Sequence, residues 1–378
     1  MNSRNVKITG DKLYYSQALL LIISYRLLLA LTYTPALVTT PTNQDVWIML
    51  LLSIPYAILI SLPILYLGNK FNQYDFFEYT EMIAGKIIGK ILAVLYSFAF
   101  LSFFIFFSSV FIEILNTALY NQTPTIVNTV ILLATCSYVV SKGIMNLARL
   151  GEIVIPFIII VFLLLAVLGI GDYDFTVFLP ILKESTFKDL NIGAIDISFR
   201  YIDVLVLAML IPYLEDKKDV NKIFIKSLVC STIFSILAVV VIQATLGIEY
   251  SKRINFSYYT YTRLIKIGET QGFDLLYVAS WIMGNIIKLS GYFYFATTAM
   301  ANVTKKRNQF FIIPVAVISV AVIVFLKDYR PVIAARDPFK SIFRIISIIF
   351  IIIIPLIILI IYFFRRKTLN KTGGAKRK

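Results

Sequence analysis

Five charged side chains, Arg26, Glu113, Arg200, Asp203 and Lys288, stand within stretches that are otherwise almost wholly apolar, and their types suggest recognition of small charged groups. Arg26 lies about halfway along the apolar stretch 14–38. A charge at mid-bilayer depth is costly unless it faces protein or water, so such a residue marks a functional position. A guanidinium grips a carboxylate through two parallel hydrogen bonds. Its anion is either a ligand carboxylate or a protein acid, with Glu113 and Asp203 the two acids considered. Just beyond it, Thr32-Tyr33-Thr34-Pro35 predicts an interrupted helix, because proline removes a backbone donor and threonine hydroxyls can satisfy freed carbonyls. Backbone N–H groups freed near Thr32, Tyr33 and Thr34 can also hold a carboxylate. A second interrupted stretch follows Asn191-Ile192-Gly193 and carries Ser198, Arg200 and Asp203 before Pro212. Arg200 and Asp203 are three apart and share a helical face. They either pair with each other, or Asp203 takes a ligand amine while Arg200 faces an outer vestibule. Glu113, near the end of its stretch, is an interfacial acid or a charge partner. Lys288 lies mid-stretch and needs either an acid or another role.

Other chemistries lack their residues. The chain has no histidine, which removes Ser-His-Asp triads, histidine-ligated metals and the usual proton shuttle. The two cysteines, Cys136 and Cys230, fall in different apolar stretches without metal or disulfide spacing and read as buried thiols. Gly85-Lys86-Ile87-Ile88-Gly89-Lys90 has too few residues between its glycines for a phosphate loop and lacks the following Ser or Thr; it reads as a close turn. No nucleophile with a base is recognisable, so an enzyme is not expected, and neither is a cofactor or a metal.

The elements that must position these groups are transmembrane helices. Of 378 residues, 59% are apolar and only 15% charged, well above the 45–50% apolar content of soluble domains. Ten stretches are long enough to cross a hydrocarbon core about 30 Å thick: 14–38, 46–67, 87–119, 125–140, 150–170, 195–214, 223–248, 273–303, 310–326 and 341–364. The third and eighth are the longest and read as central scaffold helices. The first stretch has no cleavage site after a short apolar core and reads as a retained helix rather than a signal peptide. The net charge of +15 is distributed by loop, which argues against nucleic acid. With an even number of spans, 22 basic residues fall on the side of the chain ends and ten on the other, which predicts cytoplasmic termini. The expected organisation is one transmembrane domain over 1–364 and a basic tail over 365–378 attracted to anionic lipid. The interrupted first and sixth spans, five apart, predict two inverted repeats of five helices whose broken members face each other at the midplane.

Order and spacing of several segments resemble the spore germination permease family, the B subunits of nutrient germinant receptors in the amino acid, polyamine and organocation transporter superfamily. These segments are Asn43-Gln44-Asp45-Val46-Trp47, Glu81-Met82-Ile83-Ala84-Gly85-Lys86, Gly143-Ile144-Met145-Asn146-Leu147-Ala148-Arg149-Leu150 and Met209-Leu210-Ile211-Pro212-Tyr213-Leu214. Arg263-Leu264-Ile265-Lys266-Ile267-Gly268-Glu269, then Trp281, Ile287-Lys288 and Tyr292, continue the series. Phe256-Ser257-Tyr258-Tyr259 departs from it where the family often carries a proline. The resemblance implies a ten-helix, all-α LeuT-like fold with an amino-acid-like germinant bound between the first and sixth helices. It also implies a place in the bacterial cell or spore inner membrane, and partner A and C subunits that read the conformational change. In sodium-coupled relatives of this fold the eighth helix packs beside the first at a cation site. Lys288 would there replace the ion, bracing unwound carbonyls, or serve a proton-coupling role. The rival expectation is a secondary amino acid transporter.

Overall fold

The computed structural model describes residues 12–33, 43–183, 185–254, 256–266, 272–326 and 344–374. Among these the regular secondary structure is helical apart from one isolated β-bridge. Helix formation follows from the solvent: in hydrocarbon every backbone polar group needs an internal partner, and a helix supplies it within each apolar stretch. α1 runs Tyr15–Tyr33 and α2 Val46–Lys70. A short amphipathic α3, Phe76–Ala84, starts at a reciprocal capping box in which Asp75 accepts from the Glu78 amide and Glu78 accepts from the Asp75 amide. α4, Lys86–Ile114, continues into a π-helical turn over Leu115–Leu119. α5 spans Thr125–Ser141 and α6 Ile144–Leu168. Gly85, at φ 95°, makes the turn between α3 and α4, while Gly89 lies so close to Glu81 that an added Cβ would stand 2.5 Å from its Cα. The close turn expected at this glycine pair is present.

The second half begins with α7, Phe187–Ser198, and α8, Asp203–Leu210. α9 spans Val220–Leu246, followed by two short helices, α10 Ile248–Arg253 and α11 Ser257–Leu264. α12, Asp274–Thr304, is the longest at 31 residues; α13 is Gln309–Phe325 and α14 Ile354–Gly374, preceded by a π-helical segment Ile348–Ile353. Six helical stretches among the described residues are long and apolar enough to cross a membrane: 15–32, 46–70, 86–117, 144–168, 217–246 and 344–367. α5 and α13 are shorter apolar helices. The protein is an integral membrane protein.

α12 runs through the centre, against α4, α6, α5, α1 and α13. Its pairing with α4 is a ladder of rings: Phe100 on Phe295, Phe104 on Phe293, Phe107 on Tyr292 and Phe111 on Trp281, with centroids 4.8–5.6 Å apart. Offset and stacked rings add to the burial of apolar area and hold the two long helices in register. This is the scaffold expected of the third and eighth spans.

α1 seats on the other side of α12. A Cβ at Gly291 would stand 1.7 Å from the Tyr25 hydroxyl oxygen, and one at Gly284 2.7 Å from Leu28 Cδ2. The two glycines are therefore hollows for side chains of α1. At one face of the bundle Leu13 bridges the segment after α8, donating to Tyr213 O and accepting from Glu215 N at 2.9 Å each. On that same face Gln73 accepts from Lys217 Nζ, and Arg365 Nη1 donates to Ile83 O, so both described ends of the chain lie there.

Candidate functional site

Of the two expected helix breaks, the one in the first span falls largely outside the described residues, at Thr34 and Pro35. α1 is unbroken from Tyr15 to Tyr33, through Arg26 and Thr32. Among the described residues its backbone is helical up to Tyr33, and Thr34 lies outside them. In the last described turn of α1 the backbone is met by α12: the Tyr277 hydroxyl donates to Leu31 O at 2.9 Å. Thr32 Oγ1 donates to Leu28 O at 2.6 Å and accepts from Trp281 Nε1 at 2.9 Å. Thr32 thus joins α1 to α12 through its hydroxyl. Tyr33 is the last residue of α1.

The sixth span is broken, between Ser198 and Asp203. Across the gap the amides turn to partners three residues back or fewer: Arg200 N to Ile197 O at 3.1 Å, Ile202 N to Arg200 O at 2.9 Å and Leu205 N to Ile202 O at 2.9 Å. Neither glycine nor proline makes this break. The charged residues on either side of it are claimed by different partners, and Asp203 opens α8, where an acid meets the positive end of the helix dipole.

Arg26 and Asp203 meet across this break. Arg26 Nε donates to Asp203 Oδ1 at 2.8 Å and Nη2 stands 2.5 Å from Oδ2, with both side chains at most 2% exposed. The guanidinium carbon lies 4.6 Å from the Tyr201 ring centroid and 5.5 Å from that of Phe224 on α9. The Tyr201 hydroxyl shares a hydrogen bond of 3.0 Å with Ser53 on α2, so the ring is anchored from a third helix. Arg26 Nη1 finds no acceptor among the described residues. A buried guanidinium with an unused N–H offers a donor that an oxygen acceptor can satisfy.

Of the other candidates, Ser198 is buried and its hydroxyl donates to Ile195 O at 2.6 Å. Arg200 does not pair with Asp203 but with Asp196, one turn earlier. Glu113 is partly exposed near the end of α4, away from the Arg26 pairing, which Asp203 supplies. Lys288 is 2% exposed and no ion pair is formed by it among the described residues; its Nζ lies 3.7 Å from the Phe107 ring centroid. That ring is stacked on Tyr292, which meets Tyr25 edge-on at 4.9 Å. A buried ammonium against an aromatic face is a cation–π contact.

Sequence reading did not single out Tyr201, Phe224, Phe107 or Asp196. Asp196 carries a signal, four residues before Arg200 on the same helical face. The three rings carry none, since 15% of the chain is aromatic and only tertiary packing selects these.

No group of three or more potential metal ligands occurs among the described residues. The arrangement is a buried charge pair at a helix break. The fold is that of a known transporter class: a Na+-coupled sialic acid symporter, solved in a substrate-bound, outward-open state, superposes with a TM-score of 0.62 at 13% identity, covering 90% of this chain and 79% of that one. Among curated relatives, spore germination protein YndE of Bacillus subtilis (strain 168) is 24% identical over 303 residues, covering 79% of this chain and 82% of that protein. Spore germination protein KB of the same organism is 25% identical over 302 residues, covering 77% and 79% respectively. The family model described as spore germination protein matches residues 12–332, so the chain belongs to the spore germination permease family.

Proposed function

We infer that the protein is a germinant receptor subunit that receives an amino acid or similar small nutrient between α1 and the break of the sixth span. The single observation that carries this reading is Arg26: a buried guanidinium, flanked by Tyr201 and Phe224, with Asp203 on one side and Nη1 without an acceptor among the described residues. In the unliganded state Arg26 and Asp203 neutralise each other. A ligand carboxylate then takes donors of Arg26 while its amine approaches Asp203, so the ligand replaces part of one charge pair with two. Binding shifts the helix arrangement only by the difference in affinity between its states. Partner A and C subunits read that shift. Ten spans in a five-plus-five inverted repeat, cytoplasmic termini and a basic tail against anionic lipid complete this reading, in a bacterial cell or spore inner membrane.

Lys288 occupies the role of a fixed cation beside α1, so ligand binding needs no sodium. The symporter-like fold supports a second reading, secondary amino acid transport, in which the same site releases its ligand to the other face. Purified protein in proteoliposomes separates the two. Saturable binding of labelled L-amino acids without concentrative uptake supports the receptor, and robust uptake without partners overturns it. Loss of binding in Arg26→Gln is expected in either case, and retained affinity removes Arg26 from the site. Labelling of a cysteine placed at Lys306 from outside intact cells would overturn the orientation.

A further inference from the structure

The segment between α6 and α7 presents apolar side chains outward. Leu179 is 64% exposed, Leu182 49% and Phe187, the first residue of α7, 81%; Ile170, Phe175 and Ile181 are exposed as well. Polar groups hold the segment from within. Gln44 Nε2 donates to Pro180 O at 3.0 Å. Asp45, fully buried at the start of α2, accepts from the Leu182 amide at 3.3 Å through one oxygen and from the Ser185 hydroxyl through the other. Nearer α6, the Asp174 amide donates to Ala244 O of α9 at 2.9 Å. A loop bathed in water keeps large apolar side chains inside and polar groups outside, and this one is built the other way round.

The depth of the segment follows from the helix that leads into it. Glu152, two turns into α6, accepts from Ser16 and Gln17 at the start of α1 at 2.8 and 3.0 Å, so α6 begins at the face that holds the chain ends. Its 25 residues rise about 37 Å at 1.5 Å each. A hydrocarbon core is about 30 Å thick, so the last turn of α6 and the residues after it lie at headgroup level on the opposite face. Ile153, Ile160, Leu164 and Val167 are spaced seven, four and three apart and form one outward apolar stripe along α6, where lipid covers a spanning helix. Ile170 and Phe175, equally exposed, follow directly after the helix end. The charges suit that depth too. Lys183 and Lys188 are exposed beside Leu182 and Phe187, and Asp172 is exposed after Ile170. Asp174 accepts from Thr176 and Asp189 from Thr186 within the segment itself.

We propose that residues 170–183 and the first turn of α7 form an interfacial anchor that seats in the lipid leaflet opposite the chain ends, with Asp45 as the residue that holds it in place. The occupant of this face is the bilayer surface, because the apolar side chains take up where the lipid-facing stripe of α6 ends and stand at headgroup level. There the rings and aliphatic chains meet the acyl boundary while lysine stems reach back to phosphate oxygens. Asp45 fixes the turn: for Leu179, Ile181 and Leu182 to fold inward, a buried carboxylate would lose the donors on both its oxygens. The anchor is independent of what binds at Arg26.

The test uses the full chain with Cys136→Ala and Cys230→Ala, in nanodiscs of phosphatidylethanolamine and phosphatidylglycerol and without partner proteins. Nitroxide labels are placed one at a time at Leu179→Cys, Leu182→Cys and Phe187→Cys. Val167→Cys on the lipid-facing stripe is one reference, and Asn121→Cys, exposed beyond α4 at the same face, is the aqueous one. Power saturation with oxygen and with nickel ethylenediaminediacetate gives a collision ratio that rises as a label enters lipid. At all three positions the ratio should lie closer to that of Val167 than to that of Asn121. A ratio equal to that of Asn121 at Leu179 or Leu182 overturns the anchor and leaves the face to a soluble partner. Asp45→Ala, read from the label at Leu179, should lower the ratio toward that of Asn121 and narrow the spectrum as the turn comes free, with Asp45→Asn falling between it and the parent. An unchanged ratio and line shape in Asp45→Ala overturns the role of Asp45. If Asp45→Ala does not give a monodisperse protein, Gln44→Ala and Ser185→Ala, each removing one donor of the same tie, are read against the same two outcomes.

Discussion

Breaking the Arg26–Asp203 pair from one side should be far more damaging than removing it whole. Arg26→Met leaves the Asp203 carboxylate, at most 2% exposed, beside an apolar chain with its two guanidinium contacts of 2.8 and 2.5 Å gone. Loss of one partner from a buried pair costs about 3–5 kcal/mol, because the remaining charge cannot return to water. Loss of the stacking of Arg26 on Tyr201 adds roughly 0.5–2 kcal/mol. Asp203→Leu strands the guanidinium in the same way. In the double variant Arg26→Met/Asp203→Leu no charge is stranded, and stability should return to within about 2 kcal/mol of the parent, as for other buried pairs replaced by apolar groups. The assay is the midpoint of thermal unfolding in detergent, read as the loss of the monodisperse species on size exclusion. Each single variant should fall by on the order of 5–10 °C and the double should recover most of that. A double variant as unstable as the worse single variant would refute the argument, because it would mean the damage comes from lost packing rather than a stranded charge. Ligand response should stay absent in the double variant even where stability recovers, which separates recognition from folding.

Gly291→Ala places a Cβ 1.7 Å from the Tyr25 hydroxyl oxygen and should destabilise by about 1–3 kcal/mol, as overpacked cores do; Tyr25→Phe removes that oxygen and should partly rescue it in the same midpoint assay. Lys288→Met keeps most of the volume against Phe107 and should insert and fold, so ligand affinity measured with and without sodium at several pH values reports its role. If Lys288 braces α1, affinity falls; if it moves protons, affinity survives and pH dependence disappears; unchanged affinity and pH dependence exclude both. Burial and the neighbouring Glu78 carboxylate push Asp75, in the capping box of α3, up to about 6. Because that lies above the ordinary carboxylate value, its contribution to stability is fully present below about pH 4 and is lost as pH rises through about 6. Asp75→Asn keeps a capping acceptor and should therefore raise the unfolding midpoint over the parent at about pH 8 but not at about pH 4; equal midpoints at both would show that Asp75 is not strained by ionisation.

Much of the architecture is written locally. The apolar stretches, their lengths and the charged residues between them determine where helices start and stop, since hydrocarbon leaves the backbone no other way to satisfy itself. The helix break of the sixth span was legible in Ser198, Arg200 and Asp203, and the central role of the third and eighth spans in their length. Charge inside an apolar stretch likewise picked out Arg26, Asp203 and Lys288, because its cost in lipid is paid only at particular positions. What neighbours those charges take is a matter of tertiary structure. Threonines and a proline predict an interruption at the end of the first span, and what tertiary structure adds there is that Tyr277 and Trp281 of α12 donate to Leu31 O and the Thr32 hydroxyl. Arg200 and Asp203 share a face on an ideal helix, but the helix is broken between Ser198 and Asp203, and Arg200 pairs with Asp196 while Asp203 pairs with Arg26. Lys288 meets the face of Phe107 rather than an acid, a choice that depends on how α4 and α12 stack their rings. Residue types and spacing thus determine which groups must find partners inside the membrane, while the packing of helices far apart in sequence decides which partners they find.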